Sequence, residues 1–376
     1  MDILSELWLH GICKYEPGKV ENVSSVLGNE EINPLSSPAN VLKARGMEGE
    51  IVDRALDPEL WEEARRIEEY CCNNGIRIIT KAAPEYPELL KNIKTPPRIL
   101  FTKGMELDLN SGINVAVAGS RTSTEHGRNA ARQIGADMAG NGITVISGMA
   151  EGIDAEAHKG ALEAGGKTVA VLAGSVDTVY PLSNKRMYFE ILERGMVISE
   201  RPPWTKVKPY FYQQRNRIVV GMAHGTVIVE GRCQSGTGIT AGLALENQRD
   251  IFAVPGNPTL WQSELPNSLI AGGAVIIDRL SKPREFYERT QPGFSGRLSS
   301  KGTGQTIDDL KLTSEQKAII EYIRDRGGIA DCESIAMDLG INPGVLSGIL
   351  VSLAVKKVLG LESGNRYILK WNDFGE

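Results

Sequence analysis

The chain has 376 residues, 41% hydrophobic and 24% charged, with a formal net charge of -5, the composition of a globular protein large enough for two or three domains. A pI near 5.7 excludes a global basic field, so an anionic partner such as nucleic acid must meet cations gathered in one groove. The opening MDILSELWLH lacks a basic n-region, no apolar run approaches a membrane span, and the five cysteines and four histidines show neither C-x-x-C nor H-E-x-x-H spacing. These features lead us to expect a cytoplasmic chain with free thiols and no metal site.

Residues 1–75 carry short apolar clusters (Leu4, Leu7, Trp8, Leu9; Val23, Val26, Leu27; Val41, Leu42) separated by Gly, Asn and Pro. A charged helix follows over Pro58 to Tyr70, with Leu60, Ala64 and Ile67 on one face. A small helical domain is expected there. Ile76 to Thr80 reads as a strand, and two proline-rich stretches lead into a larger domain over 76–285.

The chain is organised around Ile113 to Asp154. An apolar run, Ile113 to Ala118, predicts a strand buried on both faces. Gly119-Ser120-Arg121 breaks it, and Ala130, Ile134 and Met138 line one face of the following helix. Ile143 to Ser147 is a second strand, ending in the glycine-rich turn Ser147-Gly148 to Asp154. A strand–helix–strand unit opens both turns at the carboxyl edge of a parallel sheet. Glycines there let phosphate approach backbone N–H groups, and Arg121 adds a planar cation able to hold it by two hydrogen bonds. The same residues also suit plain tight turns with a solvated arginine. Neither G-x-G-x-x-G nor a phosphate-loop lysine follows, so no nucleotide cofactor is expected.

Further strands are predicted at Thr168–Leu172, Met196–Ser199, Thr226–Glu230, Ile251–Val254 and Ala274–Ile277, alternating with helical patterns. The fold class is α/β, a doubly wound, mainly parallel sheet. The turns after these strands are rich in glycine and cations: Asn184-Lys185-Arg186, then Gly231-Arg232, then Ser235-Gly236-Thr237 opening a helix. Their convergence predicts a phosphate-binding edge.

In Pro209 to Arg217, Tyr210, Phe211 and Tyr212 precede Arg215-Asn216-Arg217. Aromatics stack unpaired bases and arginines hold the connecting phosphates. The competing reading makes Tyr210 and Phe211 core and pairs the arginines with a carboxylate such as Glu230. Residues 286–310 turn to Pro, Gly, Ser and Lys, which predicts a flexible linker. In 311–376, a helix, a helix–turn–helix and a hairpin around Ser363-Gly364-Asn365 predict a winged helix. Its presumed recognition helix, GVLSGILVSLAVKK, is nearly all apolar or small until Lys356-Lys357, a composition for contacting protein rather than reading sequence.

Taken together, GSR (Gly119 to Arg121), SGMAEGIDAEAHKGAL (Ser147 to Leu162), TVAVLAGSVDTVYP (Thr168 to Pro181), RNRIVVG (Arg215 to Gly221), SGTGITA (Ser235 to Ala241) and FAVPGN (Phe252 to Asn257) resemble the DprA/Smf family of DNA-processing proteins. The resemblance implies an extended Rossmann-like core behind a sterile-alpha-motif-like front, with a variable winged helix at the end. It also implies binding and protection of incoming single-stranded DNA in natural transformation, a homodimer built through the core, and loading of the RecA recombinase. No catalysis is implied. By the same resemblance Gly119, Ser120 and Arg121 hold phosphate, Phe211 stacks a base, and Arg215 or Arg217 holds a neighbouring nucleotide. Ser147, Gly148, Lys185, Asn216, Ser235, Gly236 and Thr237 complete the expected DNA-binding set. Two motifs depart from the family: F-P-x-R-N-R reads Phe211-Tyr212-Gln213-Gln214-Arg215 here, and S-G-S-L-x-T-A reads Ser235 to Ala241. The alternative is a nucleotide phosphoribohydrolase of similar architecture, with Glu151 and Asp154 as its acids; its P-G-G-x-G-T-x-x-E run is missing from the matching turn.

Overall fold

Val115, Ala116 and Val117, the centre of the first predicted strand of the large domain, are all fully buried. Alternate side chains on this strand enter different layers. Val115 and Val117 pack with Ile134 and Ala157 on one face of the sheet, and Ala116 with Ile218 and Val219 on the other. A strand covered on both faces has no polar side, so it reads as a continuous apolar run.

The computed structural model describes residues 2–27, 38–47, 49–291, 312–326, 329–355, 358–362 and 366–369. The chain divides into two units, Met1–Ser299 and Ser300–Glu376. The first unit begins with helices α1 (Ile3–Ile12), α2 (Pro17–Leu27), α3 (Pro38–Ala44), α4 (Glu50–Ala55) and α5 (Pro58–Asn73). Then come β1 (Arg77–Thr80), α6 (Glu88–Lys91) and β2 (Ile99–Gly104). The alternating part follows: β3 (Asn114–Ala118), α7 (Glu125–Gly140), β4 (Thr144–Ser147), α8 (Ile153–Glu163), β5 (Thr168–Val171), α9 (Lys185–Arg194) and β6 (Met196–Ser199). It continues with α10 (Pro209–Gly221), β7 (Gly225–Ile228), α11 (Gly236–Glu246), β8 (Asp250–Ala253), α12 (Glu264–Ala271), β9 (Val275–Ile276) and α13 (Lys282–Thr290). Every strand expected from Ile113 onward is present.

These strands form one nine-stranded sheet in the order β1-β2-β6-β5-β4-β3-β7-β8-β9. From β3 to β9 the pairings are parallel, and β1 and β2 extend the β6 edge antiparallel. The chain winds outward from β3 through β4, β5 and β6, then returns to start again at β7 on the other side of β3. Loops leaving β3 and β7 therefore diverge onto opposite faces, which opens a crevice at their carboxyl ends. This is the extended, doubly wound, Rossmann-like sheet expected from the sequence. On one face α7 and α8 pack closely because Gly160 allows it: a Cβ there would lie 1.9 Å from the Arg132 carbonyl oxygen.

Two expected boundaries differ. The helices of residues 1–75 share one apolar cluster with the sheet, in which Leu7 and Ile67 join Phe101, Ile191 and Val197. Arg98 donates to both carboxylate oxygens of Glu6, at 2.9 and 2.6 Å, so the front helices and sheet are one packed body. Partners that lie this far apart in sequence leave no compositional mark at residue 75. The linker expected from 286 begins as helix, because α13 runs to Thr290 and Tyr287 is fully buried against Phe252. The rest of that linker, 292–311, lies outside the described residues.

The second unit comprises α14 (Ser314–Asp325), β10 (Ile329–Asp331), α15 (Cys332–Leu339), α16 (Pro343–Val355), β11 (Leu359–Glu362) and β12 (Arg366–Leu369). Its antiparallel sheet has the order β10-β12-β11, and Ile319, Ile323, Ile335, Leu346, Leu350 and Leu353 fill its core. Thr313 and Gln316 form a reciprocal cap on α14, as a Thr three residues before Gln favours. The hairpin turn 363–365 and Lys356-Lys357 lie outside the described residues. Among the described residues no single helix is long and apolar enough to cross a membrane.

Candidate nucleic-acid interface

The crevice at the β3/β7 divide is a cleft of about 950 Å3. One wall is the turn after β3. The Ser120 N–H donates to the Glu230 carbonyl at 2.8 Å, tying that turn to the end of β7. Its hydroxyl accepts from the Thr122 N–H at 3.2 Å. Thr124 caps α7 by accepting from the Gly127 N–H at 3.0 Å. The buried Glu230 carboxylate in turn accepts from the Thr124 N–H at 2.8 Å. This end of α7 thus already holds a carboxylate, and ligand phosphate must be sought elsewhere on the cleft.

The floor is the turn after β4. Asp154 is buried and accepts from the N–H groups of Gly148 and Ala150 at 3.2 and 3.4 Å. Burial raises its pKa, while nearby Arg215 acts in the opposite direction. Arg215 is equally buried: it donates to the Gly148 carbonyl at 2.6 Å and to that of Val171, and burial lowers its pKa. A Cβ at position 148 would sit 2.1 Å from an Arg215 nitrogen, so any larger residue there would displace the guanidinium from the floor. Arg215 is therefore the internal clasp of the floor, holding the ends of β4 and β5 together.

The third wall is α10. Pro209 starts the helix at a position where a missing N–H costs nothing. From there Pro209, Tyr212, Gln213, Asn216 and Val219 line the cleft, the i, i+3, i+4, i+7 stripe of one helix face. Asn216 donates to Thr240 Oγ1 at 3.0 Å, fixing α10 to α11, whose first turn (Ser235, Gly236, Thr237) opens on the cleft. The Arg121 guanidinium lies 4.6 Å from the Tyr212 ring centroid, with Tyr180 beside it at 6.3 Å. Burial and the neighbouring Tyr180 push the Tyr212 phenol up to about 12, so the ring stays neutral. On the α11 side the Arg232 guanidinium lies 4.4 Å from the Trp261 ring centroid. Among the described residues lining the cleft, Arg121, Lys208, Arg215 and Arg232 face a single carboxylate, Asp154. In an acidic protein, this is where positive potential is focused.

Of the residues expected at the site, Gly119, Ser120, Arg121, Gly148, Arg215, Asn216, Ser235, Gly236 and Thr237 line the cleft. Ser147, Lys185, Phe211 and Arg217 do not. Ser147 is fully buried and donates to the Val117 carbonyl at 2.6 Å, joining β4 to β3. Lys185 is exposed at the start of α9 and does not line the cleft. Phe211 is buried beneath the Arg201 guanidinium, 4.0 Å from its ring centroid. Arg217 pairs with buried Glu200 at 2.6 Å. Helical rotation of about 100° per residue explains the reversal: it turns Phe211 and Arg217 from the cleft and brings Tyr212 and Asn216 into it. The competing reading was right for Phe211 but not for Tyr210, which is 48% exposed, and of the two arginines Arg217 pairs with a carboxylate, Glu200 and not Glu230. The expected set also omitted Tyr180, Lys208, Tyr212, Arg232 and Trp261. Arg232 had a sequence signal in its cation-rich turn after β7, and Tyr212 in its i, i+4 spacing to Asn216 within a helix opened by proline.

The chain is 35% identical over 203 residues to the DNA processing protein DprA of Bacillus subtilis, covering 54% of this chain and 68% of the relative. With protein Smf of Escherichia coli the identity is 36% over 209 residues, 55% of each chain. The crystal structure of DNA processing protein A from Streptococcus pneumoniae superposes with a TM-score of 0.59 at 28% identity, covering 75% of this chain and 93% of that one. The Helicobacter pylori DNA processing protein A, described for its single-stranded DNA binding mode, gives 0.52 at 25% identity over 57% of this chain and 95% of its own. The family model of DNA recombination-mediator protein A matches residues 77–288, from the first residue of β1 into α13 and so across the whole sheet and cleft. On that match, the chain belongs to the DNA recombination-mediator protein A family.

Proposed function

We propose that this chain binds single-stranded DNA in the β3/β7 cleft and acts as a recombination mediator that protects the strand and loads RecA onto it. The observation that carries this reading is the Arg121–Tyr212 stack beside the glycine turns after β3 and β4. A planar cation and an aromatic face together suit a strand whose bases are unpaired. Arg121 holds phosphate, Tyr212 and Tyr180 offer ring faces, and the first turn of α11 favours a second phosphate. That the H. pylori relative binds single-stranded DNA supports the same class of ligand.

The phosphoribohydrolase alternative has less support. It needs a carboxylate free to act on a ribose, whereas Asp154 is engaged with two backbone N–H groups next to Arg215. Glu151 accepts from the Ser183 hydroxyl at 2.6 Å and lies in a smaller pocket adjoining the cleft beside Arg121. In the test, binding to oligothymidylate and to duplex of equal length is measured across a salt series. The reading expects preference for the single strand and affinity falling steeply with salt. Equal affinity for duplex, or ribose released from nucleoside monophosphates, would overturn it.

The proposed assembly is a homodimer across the β9 edge. β9 is the last strand of the sheet, with Ile276 41% exposed, and an uncovered apolar edge strand invites pairing. Two clefts on one dimer would raise the effective concentration of a second stretch of the same strand. That arrangement suits a protein presenting coated DNA to a recombinase.

A further inference from the structure

We infer that Trp261, backed by Arg232, is a second base-stacking station on the β7/β8 side of the cleft, so that the bound strand crosses the carboxyl edge from β3 toward β8. The inference rests on the cleft binding single-stranded DNA, and it adds residues that neither the motifs nor the relatives' names point to.

Trp261 opens a short 3-10 turn, Trp261–Ser263, between β8 and α12. It is 38% exposed and lines the cleft together with Arg232. An indole is the largest apolar side chain a fold can bury, and one left open on a cationic cleft wall has a ring face available to a ligand. The loop that carries it is held in place. The Gly231 N–H donates to the Gln262 carbonyl at 2.7 Å, and the Leu265 N–H donates to the Gly231 carbonyl at 3.0 Å. Further along, the Gly256 N–H donates to Asn267 Oδ1 at 3.1 Å, and Asn267 Nδ2 returns a bond to the Gly256 carbonyl at 3.0 Å. These bonds fasten the β8–α12 loop to the turn after β7, so the ring is presented on a rigid mount.

With Arg232 4.4 Å from its ring centroid, the station repeats the chemistry of Arg121 over Tyr212 on the opposite wall. β8 lies two strands from β3 in the sheet, a displacement of about 10 Å at the usual strand spacing. One nucleotide cannot serve both stations, so the pair acts on a run of nucleotides. A base on the indole brings its phosphate near Arg232 and the first turn of α11. The ligand is any unpaired base, since every base has a π face.

The test uses the full chain and fluorescein-labelled oligothymidylates of increasing length, with anisotropy for affinity and intrinsic fluorescence for the indole. Trp261→Ala is expected to weaken binding of long oligomers by about tenfold, within the range of one stacked base, and to leave the shortest oligomer the wild type binds unaffected. Trp261→Phe is expected to keep most of the affinity and lose the ligand-induced quenching. If Trp261→Ala proves unstable on melting, the Trp261→Phe quenching decides the matter. Should the wild type bind while both variants match it in affinity and quenching at every length, the second station is refuted and the cleft reading stands. A wild type that binds no oligothymidylate removes both.

Discussion

Arg121 and Arg215 line the same cleft with opposite duties. Arg121 is exposed and rests on the Tyr212 ring, with no hydrogen-bond partner for its guanidinium among the described residues, so its hydrogen-bonding edge is open to ligand. Arg121→Ala should keep the melting temperature and weaken single-strand binding tenfold or more, since each charge-assisted hydrogen bond contributes about 1.5–3 kcal/mol. Anisotropy titration alongside thermal melting checks both halves, and an unchanged dissociation constant would remove Arg121 from the site. A second residue-scale prediction concerns His158, fully buried on α8. Its Nδ1 lies 2.7 Å from Thr168 Oγ1, which gives its own proton to the Val145 carbonyl. The imidazole therefore donates from Nδ1, and Nε2 is left without a partner among the described residues. Burial, aided by the Arg215 charge, lowers the His158 pKa from 6.5 to about 3. The folded state then refuses a proton that the unfolded state accepts, so stability is full above pH 6.5 and is lost as pH falls toward about 3. His158→Asn should give a shallower fall of the urea midpoint over that window. Equal slopes for variant and wild type would show that His158 is not the group responsible.

At the scale of elements, α10 decides which side chains meet ligand. Reading Pro209 to Arg217 as a run of aromatics before arginines treats neighbours as equivalent, but a helix sends them to different faces. Phe211 serves the core and Tyr212 the cleft. Phe211→Ala should therefore cost about 3 kcal/mol of stability or more through the cavity it leaves. Tyr212→Ala should instead cost binding, about 1–3 kcal/mol if it stacks one base, with little change in the denaturation midpoint. Chemical denaturation beside oligonucleotide titration separates the two. A Tyr212→Ala protein that binds like the wild type would leave α10 as scaffold alone. Arg201 shows what the front helices contribute to this element. It stacks on Phe211 and donates to the Tyr15 carbonyl and to Gln214, so the α1–α2 corner buttresses the helix that forms one cleft wall.

At the scale of the whole molecule, the open β9 edge is the feature that proposes an assembly. Its neighbouring side chains are not equivalent. Val275 packs against the sheet cluster and Ile277 is buried in it, whereas Ile276 is the exposed one. A charge at Ile277 would unfold the edge, so the informative substitution is Ile276→Lys. Sedimentation should show a concentration-dependent monomer–dimer equilibrium for the wild type, shifted to monomer in Ile276→Lys with the melting temperature retained. The variant should also lose the preference for long over short oligomers that two joined clefts confer. A wild type that stays monomeric at tens of micromolar would remove the bivalent arrangement.

Local sequence pattern is enough to specify the sheet. Strands buried on both faces write themselves as short apolar runs, and a parallel sheet needs helices between them, so β3 to β9 and the α/β class follow from the order of residues alone. The glycine turns at 119, 148 and 236 are legible for the same reason, because they punctuate the changes from strand pattern to helix pattern. Tertiary structure decided the rest, wherever the outcome depended on partners distant in sequence. Glu200 drew Arg217 away from the cleft, Arg201 covered Phe211, and Arg215 was consumed as a clasp between β4 and β5. Arg232 and Trp261, 29 positions apart in the numbering, became one station only when β7 and β8 paired and their loops were fastened together. Composition specifies what a side chain can do; the face it occupies after packing determines which of those things it does.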